Sequence, residues 1–519
     1  MKLSTTRTAA VITVLTVTAL VAGCATTGGE AAPERDSTVI IGTGAVPQSL
    51  DPILASDVQT DFTTGALYDK LVDYDEDGEL VPMLATDWAY DDTATSVTLT
   101  LRDDVVFHSG NPLTAADVVY TLERDARLGL GVASFISSFA SAEATDDTHV
   151  SIALNTPNTT FVGALSKIYV VDSVLVSANE GDDDAQAWLA SNDAGSGVYS
   201  LDDYTANQSA ELSRFDDSWR FDEARPENLV YRYISESSTL RDELASGGVD
   251  VVTGLTPTDQ KTFEGKDGFT MTSLPSMLQL YFMMNTASGI TADPKVREAI
   301  QLAYDYDGHV SSILSGNGEV ATGIASPAVG CRVDAGASEQ DVEKAKEIIS
   351  DLGLEGSTLT LAYQSVIPEH QKAATLLQSN LKDIGLNLEL KTVTYPEYMA
   401  LIGDPATVPD IGVLWDFPYY PEIGPMLYRV YDSSFIGQTN YGLYSNPEVD
   451  TLLESGIAST DPEAACADFT AAQEQIIADR VSVNVSNPTT MTVTTDDIEG
   501  LAYRPTYQLF DPTLLTLAE

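Results

Sequence analysis

The sequence predicts an α/β protein of two lobes with a ligand cleft between them. Two stretches, near residues 229–254 and 357–417, each read as strand, helix and strand. Such units place their strands in parallel, joined by a right-handed crossover. The 519 residues also exceed what one hydrophobic core organises, which indicates two or three lobes. A further stretch, about residues 75–190, is rich in strand patterns.

The first residues have the layout of an export signal. Lys2 and Arg7 precede an apolar stretch, residues 9–22, that is too short to span a membrane comfortably. It ends in the tetrapeptide VAGC, which resembles a bacterial lipobox in which cleavage leaves Cys24 as the lipidated first residue. We therefore expect a signal peptide over residues 1–23 and a polar tether over residues 24–37. This places the protein at the cell membrane, lipid-anchored on the extracytoplasmic face. The alternative is ordinary signal cleavage with a chance cysteine.

The composition argues against nucleic acid as a partner. The chain has 78 acidic and 26 basic residues and a net charge of −52. Neutralising phosphates requires Lys and Arg, so nucleic-acid binding is excluded. The acidity indicates either a solvated surface that keeps the protein soluble or a field that attracts cationic ligands.

Cys331 and Cys466 remain once Cys24 is assigned to lipid. Outside the cytoplasm two such cysteines can form a disulfide, and the alternative is two separate buried thiols. Neither has a second Cys or His close by in sequence, so no metal site is expected.

The elements of the first half follow from local patterns. Residues 37–42 form a short β-branched run typical of a buried strand. Two further strands alternate, around Val97 to Leu101 and over residues 149–154. Between them a helix begins at Thr114, where Asp117 supplies a capping-box partner. The first βαβ unit then has strands at 229–235 and 249–252 and a helix at 238–246.

The second half is more helical. Asp293 with Pro294, and Asn446 with Pro447, each combine an N-cap with a proline at the first helical position. Ser338 and Asp341 open another helix that ends at Gly353. The second βαβ unit comprises a strand marked by Leu359 and Leu361, a helix ending at Gly385 and an alternating strand, residues 386–390. Residues 410–415 form one more predicted strand.

Motifs of secreted enzymes are not found. The sequence contains no G-x-S-x-G elbow, no H-E-x-x-H and no phosphate-binding loop. Its four histidines are not spaced as metal ligands. Accidental carboxylate pairs are common among 78 acids, so a secreted hydrolase remains only a remote alternative. We expect no enzyme and no cofactor.

An ordered set of motifs resembles the extracellular solute-binding proteins of family 5, the oligopeptide-, dipeptide- and nickel-binding components of ABC importers. The most diagnostic stretch is residues 80–124, with an alternating strand to Arg102, then Phe107 and Gly110, and a helix opened by Ala116-Asp117-Val118. Further matches follow in order over residues 38–510: SLDP (49–52), GSGVY (195–199), LASGGVDVV (244–252), YFMMN (281–285), DPKVREAI (293–300) and NPEVDTLL (446–453).

The resemblance implies a periplasmic-binding-protein-like fold of two hinged lobes with an extra small domain. Carried over to this chain, lobe I is residues 38–75, 195–288 and 490–519. The extra strand-rich domain is residues 76–194, and lobe II is residues 289–489. Hinge bending is expected near residues 288 and 489. The protein is expected to be a monomer whose partners are a small solute, the ABC permease and the membrane.

The resemblance also points to a ligand site. In the family's peptide binders, an Asp a few residues after a Trp pairs with the peptide N-terminal ammonium. Trp415 matches that Trp, but the corresponding offset holds Pro418, and Asp416 follows the Trp directly. We expect Trp415 and Asp416 beside the ligand, with Tyr419 and Tyr420 as pocket walls.

Two further residues are candidates because they follow predicted strands. Ligands in open parallel sheets bind outside the carboxyl ends of the strands, where Asn285 and Tyr363 are expected. Peptide is the expected solute. The alternative is another solute on the same scaffold, such as a sugar, an opine, a metal chelate or a siderophore-like compound.

Overall fold

The computed structural model describes residues 37–518. The predicted signal peptide, the lipidation site Cys24 and residues 24–36 of the tether lie outside the described residues. Among the described residues, no helix is both long enough and apolar enough to cross a membrane.

Two large sheets organise the chain. The first has seven strands, in the spatial order Phe269–Leu274, Thr490–Thr495, Val251–Thr253, Thr38–Thr43, Asn228–Tyr233, Ser209–Arg214 and Tyr199–Thr205. The second has six, in the order Gly318–Val320, Ser482–Pro488, Gln279–Met284, Ile411–Asp416, Thr358–Gln364 and Asn387–Val393.

The first predicted βαβ unit forms part of the seven-stranded sheet. Its helix is Ser237–Ser246, ended by Gly247 in the left-handed conformation. Its two strands both run parallel to Thr38–Thr43, which lies between them. The second predicted unit is also confirmed: Thr358–Gln364 pairs in parallel with Asn387–Val393, and helix Pro368–Asp383 connects them.

A smaller four-stranded antiparallel sheet accounts for the strand-rich stretch. Its strands are, in spatial order, Ala85–Tyr90, Ser96–Leu101, His149–Leu154 and Phe139–Asp146. Helix Ala115–Leu128 packs on it, and the predicted capping box is present, with the Thr114 backbone N–H donating to Asp117 at 2.8 Å. The hydrophobic core of this sheet is continuous with that of the seven-stranded sheet.

The remaining α-helices are distributed over both halves of the chain. Those of the first half are Val58–Thr64, Phe161–Ala164, Ser173–Ala178, Gln186–Leu189 and Pro257–Gln260. Those of the second half are Pro294–Ala303, Tyr306–Gly308, Val342–Asp351, Tyr395–Ile402, Ile423–Tyr431, Pro447–Ala458 and Pro462–Ala478. The Asp293, Asp341 and Asn446 side chains cap their helices as expected. The sequence analysis did not predict Ile423–Tyr431 or Pro462–Ala478, although Asp461 with Pro462 repeats the same cap signal.

The six-stranded sheet has a separate hydrophobic core on each face. Trp415, Val413 and Leu361 face one core, built with helices Pro294–Ala303 and Pro368–Asp383. Leu414 and Tyr281 face the other, built with the helices of residues 395–478. Neighbouring residues of a strand point to opposite faces, so Trp415 and Asp416 lie on different sides of the sheet.

The backbone crosses between the two large sheets at two places. Strand Gln279–Met284 belongs to the six-stranded sheet, pairing with Ile411–Asp416 and Ser482–Pro488. The crossing from the first sheet therefore falls at residues 275–278, earlier than the expected residue 288. The return crossing lies at Thr489, between strands Ser482–Pro488 and Thr490–Thr495, beside the expected position.

Candidate functional site

A cavity of about 540 Å³ lies between the region of the four-stranded sheet and the helices that follow strand Ile411–Asp416. From the small-sheet side it is lined by residues between 134 and 160, and from the other side by residues between 418 and 458. Pockets of this size suit small solutes, and sites between separately folded regions are common. Tyr419 and Tyr420, two of the predicted ligand-binding residues, line it.

Aromatic rings form much of the cavity wall. The ring of Tyr419 packs on Phe135 from the opposite side, with centroids 4.4 Å apart, and on Phe417 at 5.8 Å. Tyr428 packs edge-on against Phe435 at 5.3 Å. Aromatic faces offer both apolar area and attraction for cations, so these walls suit a ligand with apolar and positively charged parts.

Asp416 is held in an ion pair beneath this wall. Its Oδ1 accepts hydrogen bonds from the Arg429 guanidinium at 2.6 Å and from the Phe417 backbone N–H at 2.8 Å. Its Oδ2 accepts from the Tyr281 hydroxyl at 3.1 Å. Burial opposes the charge on Arg429, but attraction by Asp416 outweighs it and raises the arginine pKa above its ordinary value. Asp416 is therefore already neutralised, while Arg429 lines the cavity.

A second carboxylate, Glu422, lies in the cavity wall. Its Oε1 accepts a hydrogen bond of 2.5 Å from the Tyr74 hydroxyl. Burial raises the pKa of Glu422 to about 7, and the Tyr74 bond opposes that rise only in part. Within residues 37–518, no Lys, Arg or His forms an ion pair with Glu422.

Glu422 is located where three chain segments meet. Tyr74 comes from the hairpin strand Val72–Tyr74 and stacks on Tyr420, with centroids 6.2 Å apart. Gly163 has no side chain at the point where a Cβ would collide with the Tyr74 hydroxyl and Glu422 Oε1. The backbone of Glu422 forms a bridge with Gly330.

The disulfide Cys331–Cys466 lies next to this bridge. The Cα atoms of the two cysteines are 5.5 Å apart, and 135 residues separate them in sequence. Gln473 also fixes the cysteine segment, donating to the Cys331 carbonyl at 2.9 Å and accepting from the Val333 N–H at 2.9 Å. Glu422 is thus bridged to a loop that the Cys331–Cys466 disulfide holds in place.

Trp415 does not line the cavity. Its ring packs edge-on against His370, with centroids 5.3 Å apart, on the other face of the sheet. Its Nε1 is buried and has no hydrogen-bond partner among the described residues, as is true of both ring nitrogens of His370. Desolvation lowers the pKa of His370 to about 4. The strand alternation that brings Asp416 toward the cavity turns Trp415 away from it.

Asn285 lies at the opposite edge of the six-stranded sheet. Strand Gln279–Met284 is antiparallel to Ile411–Asp416, so Gln279 pairs with Asp416 and Met284 pairs with Ile411. The Asn285 side chain accepts from the Ala287 and Ser288 N–H groups and closes a turn. Asn285 therefore does not line the cavity, and its role in ligand binding stays a prediction.

Tyr363 is also not at the cavity. It is buried in the core that contains Leu361 and Val413, and its hydroxyl accepts from Thr392 at 3.1 Å. Glu422 and Arg429 line the cavity with charged groups, although neither was predicted from the sequence. No local pattern singles them out among the 78 acidic and 26 basic residues. Within the part of the chain that the structure describes, no group of three or more His, Cys, Asp or Glu could hold a metal ion.

Comparison with known families gives one match over most of the chain. The model described as bacterial extracellular solute-binding proteins, family 5 (middle), matches residues 79–438. The chain is 27% identical over 477 residues to the probable D,D-dipeptide-binding periplasmic protein DdpA of Escherichia coli K12, covering 90% of this chain and 92% of that protein.

Solved structures with the same fold include HbpA2 from Haemophilus parasuis, with a TM-score of 0.83 and 19% identity, covering 93% of this chain and all of that one. Another is the periplasmic binding protein DppA from Helicobacter pylori in complex with the peptide STSA, with a TM-score of 0.76 and 21% identity. The match covers 93% of this chain and 98% of that one. The predicted periplasmic-binding-protein-like α/β fold is confirmed.

Proposed function

The chain belongs to family 5 of the bacterial extracellular solute-binding proteins, and from this premise we propose that it captures a peptide or a similar small solute and delivers it to the permease of an ABC importer. The observation that carries the proposal is the cavity of about 540 Å³, whose walls come from the region of the four-stranded sheet and from the helices that follow strand Ile411–Asp416. Its aromatic rings and the Glu422 carboxylate suit a small solute with apolar and positively charged parts. The dipeptide-binding relative and the peptide-bound structure support peptide as the solute.

The two large sheets correspond, in this proposal, to the two lobes, and the four-stranded sheet to the extra domain. Residues 275–278 and Thr489 are the crossings at which the lobes would bend. Closure around the solute requires that the solute binds the closed form more tightly than the open form. Tyr419 and Tyr420 contact the solute directly, while Asp416 acts through Arg429.

Anchoring is part of the proposal. A diacylated Cys24 would hold the protein on the extracytoplasmic face, with residues 25–37 as the tether. Cys24→Ala should release the protein from the membrane fraction without changing solute affinity. Retention of the variant in the membrane fraction would contradict the anchor.

A different solute on the same scaffold is the second candidate. The observation in its favour is that Pro418 occupies the offset of the expected Asp, while Asp416 is already paired with Arg429. An opine, a sugar or a metal chelate would not need a carboxylate at that offset. Hydrolysis is the remote alternative, and the membership in a solute-binding family weighs against it.

Three measurements test the proposal. Native mass spectrometry of the protein purified from its host identifies a co-purified ligand. A thermal-shift screen with short peptides should give stabilisation in proportion to ligand excess over Kd. Small-angle scattering should show compaction when the bound ligand is added. Stabilisation by non-peptide solutes alone would favour the second candidate, and no compaction with a binding ligand would contradict hinge closure.

A further inference from the structure

We propose that Glu422 is the carboxylate that binds a positively charged nitrogen of the solute, in place of the displaced Asp416. The inference rests on the proposed function, because it assigns a role to a residue of the same cavity. It narrows the solute class to compounds that carry an ammonium or a similar cation. An amine-blocked analogue should therefore bind more weakly than its parent.

The two carboxylates differ in how their charges are paired. Asp416 accepts from Arg429 at 2.6 Å and from two further donors, so its charge is balanced by the protein itself. Glu422 accepts from the neutral Tyr74 hydroxyl through Oε1 and has no cationic partner among residues 37–518. A ligand cation could gain a full ion pair at Glu422, whereas at Asp416 it would have to compete with Arg429.

Aromatic rings surround Glu422. Tyr74 and Tyr420 stack beside it, and Tyr419 with Phe135 continues the aromatic wall of the same cavity. A carboxylate among aromatic faces is the combination that recognises organic cations, through ion pairing and cation–π attraction together. Cation–π attraction is stronger where the partners are desolvated, as they are in this wall.

The desolvation of Glu422 is not offset in the ligand-free protein. Burial raises the pKa of Glu422 to about 7, so the ligand-free protein bears the desolvation cost of a carboxylate that no cation offsets. Such uncompensated groups in clefts are characteristic of functional sites. A bound cation would offset that cost, and the pKa of Glu422 would then fall, releasing a proton near neutral pH.

The position of Glu422 also connects cation binding to domain closure. Its Oε1 is bonded to Tyr74 and lies against Gly163, both from the first half of the chain, while its backbone bridges Gly330. A cation held by Glu422 would lie in a cavity lined by residues between 134 and 160 on one side and between 418 and 458 on the other, and would so be enclosed from both sides. This enclosure would give the ligand the preference for the closed form that the proposed hinge motion requires.

The test is isothermal titration calorimetry of the full mature chain with two probes, alanyl-alanine and N-acetyl-alanyl-alanine. We expect the wild type to bind the free-amine peptide about 30-fold more tightly than the acetylated one. Glu422→Gln should abolish that preference, and Glu422→Asp should restore part of it. Glu389→Gln is the matched control, because Glu389 is exposed on strand Asn387–Val393, away from the cavity. Circular dichroism checks that each variant is folded.

A second readout separates a direct role from a structural one. Titrations at pH 7 in buffers of different ionisation enthalpy should show proton release on binding to the wild type and none for Glu422→Gln. If the wild type binds both peptides equally, or if Glu422→Gln keeps the preference, the inference is wrong while the binding function stands. If the wild type binds neither peptide, the peptide part of the proposed function fails, and the inference fails with it.

Discussion

The carboxylate of Asp416 and the guanidinium of Arg429 form a partly buried ion pair, with 2.6 Å between Oδ1 and the nearer guanidinium nitrogen. The pair links the last residue of strand Ile411–Asp416 to helix Ile423–Tyr431, which carries part of the cavity wall. It explains why the Asp that follows Trp415 is not free for a ligand.

Asp416→Asn should destabilise the protein. Removing one partner leaves the Arg429 charge poorly compensated, and we expect a loss of about 3 kcal/mol in the free energy of unfolding, measured by urea titration. Asp104→Asn is the matched control, because the Arg102–Asp104 pair has a similar distance but an Asp side chain that is 60% exposed. That control should cost less than about 1 kcal/mol. Equal losses in the two variants would show that burial does not set the value of the Asp416 pair.

Glu422→Gln should make the ligand-free protein more stable at pH 8. Folded Glu422 keeps its proton up to a pKa of about 7, whereas the unfolded residue loses it near the ordinary value. Between these values the folded state holds more protons, so this residue's contribution to stability falls as pH rises. The stability of the variant should lack that fall. Its free energy of unfolding, compared with that of the wild type, should therefore be about 1–3 kcal/mol more favourable at pH 8 than at pH 4. Urea unfolding at both pH values measures it, and an unchanged pH dependence would contradict the buried carboxylate.

His370 should have the opposite effect on the pH dependence. Desolvation lowers its folded pKa to about 4, below the value in the unfolded chain, so unfolding takes up a proton between these values. Stability is therefore lost as pH falls from about 6.5 to about 4, by up to about 3 kcal/mol. His370→Phe keeps a ring against Trp415. In thermal unfolding, this variant should lose less stability than the wild type between pH 6.5 and about pH 4. His149→Gln, at a more exposed position, should lose as much as the wild type.

Loss of the Cys331–Cys466 disulfide should lower the free energy of unfolding. The bond spans 135 residues, for which chain-entropy arithmetic gives at most about 5 kcal/mol. Guanidinium unfolding with and without a reductant measures the loss. The Cys331→Ser, Cys466→Ser double variant should have the same free energy of unfolding as the reduced wild type, and adding reductant should not change it. If reduction shifts the double variant as well, the loss has another cause.

Reduction should also lower the affinity for the ligand, because Gly330, next to Cys331, bridges Glu422.

Much of the fold could be predicted from the sequence because its signals are local. The caps at Asp293, Asp341 and Asn446, the capping box at Thr114 and the glycine stop at Gly247 each depend on neighbouring residues. The two βαβ units follow from hydrophobic period and length. Helix Pro462–Ala478 carried the same cap signal at Asp461 and could have been predicted.

The candidate site could be predicted only in part. Tyr419 and Tyr420 line the cavity as expected, because they follow directly on the strand whose end was identified. The distance of Asn285 from Asp416 could not be predicted, because the antiparallel direction of strand Gln279–Met284 depends on pairing with residues more than 100 positions away. That Trp415 does not line the cavity could not be predicted either, because the strand itself does not encode which of its two faces meets a cavity.

The sequence by itself predicted several helices with clear cap or stop signals, several strands of the sheets, the α/β class and a family resemblance that covers nearly the whole expected mature chain. The tertiary structure alone decided the charge partners of Asp416 and Glu422. Asp416 is neutralised by Arg429, 13 residues away across a turn, and Glu422 meets Tyr74, 348 residues away, without a cationic partner in the described chain. The reason is physical: the charge state and accessibility of a carboxylate depend on which distant groups surround it, and local sequence patterns carry no information about those groups.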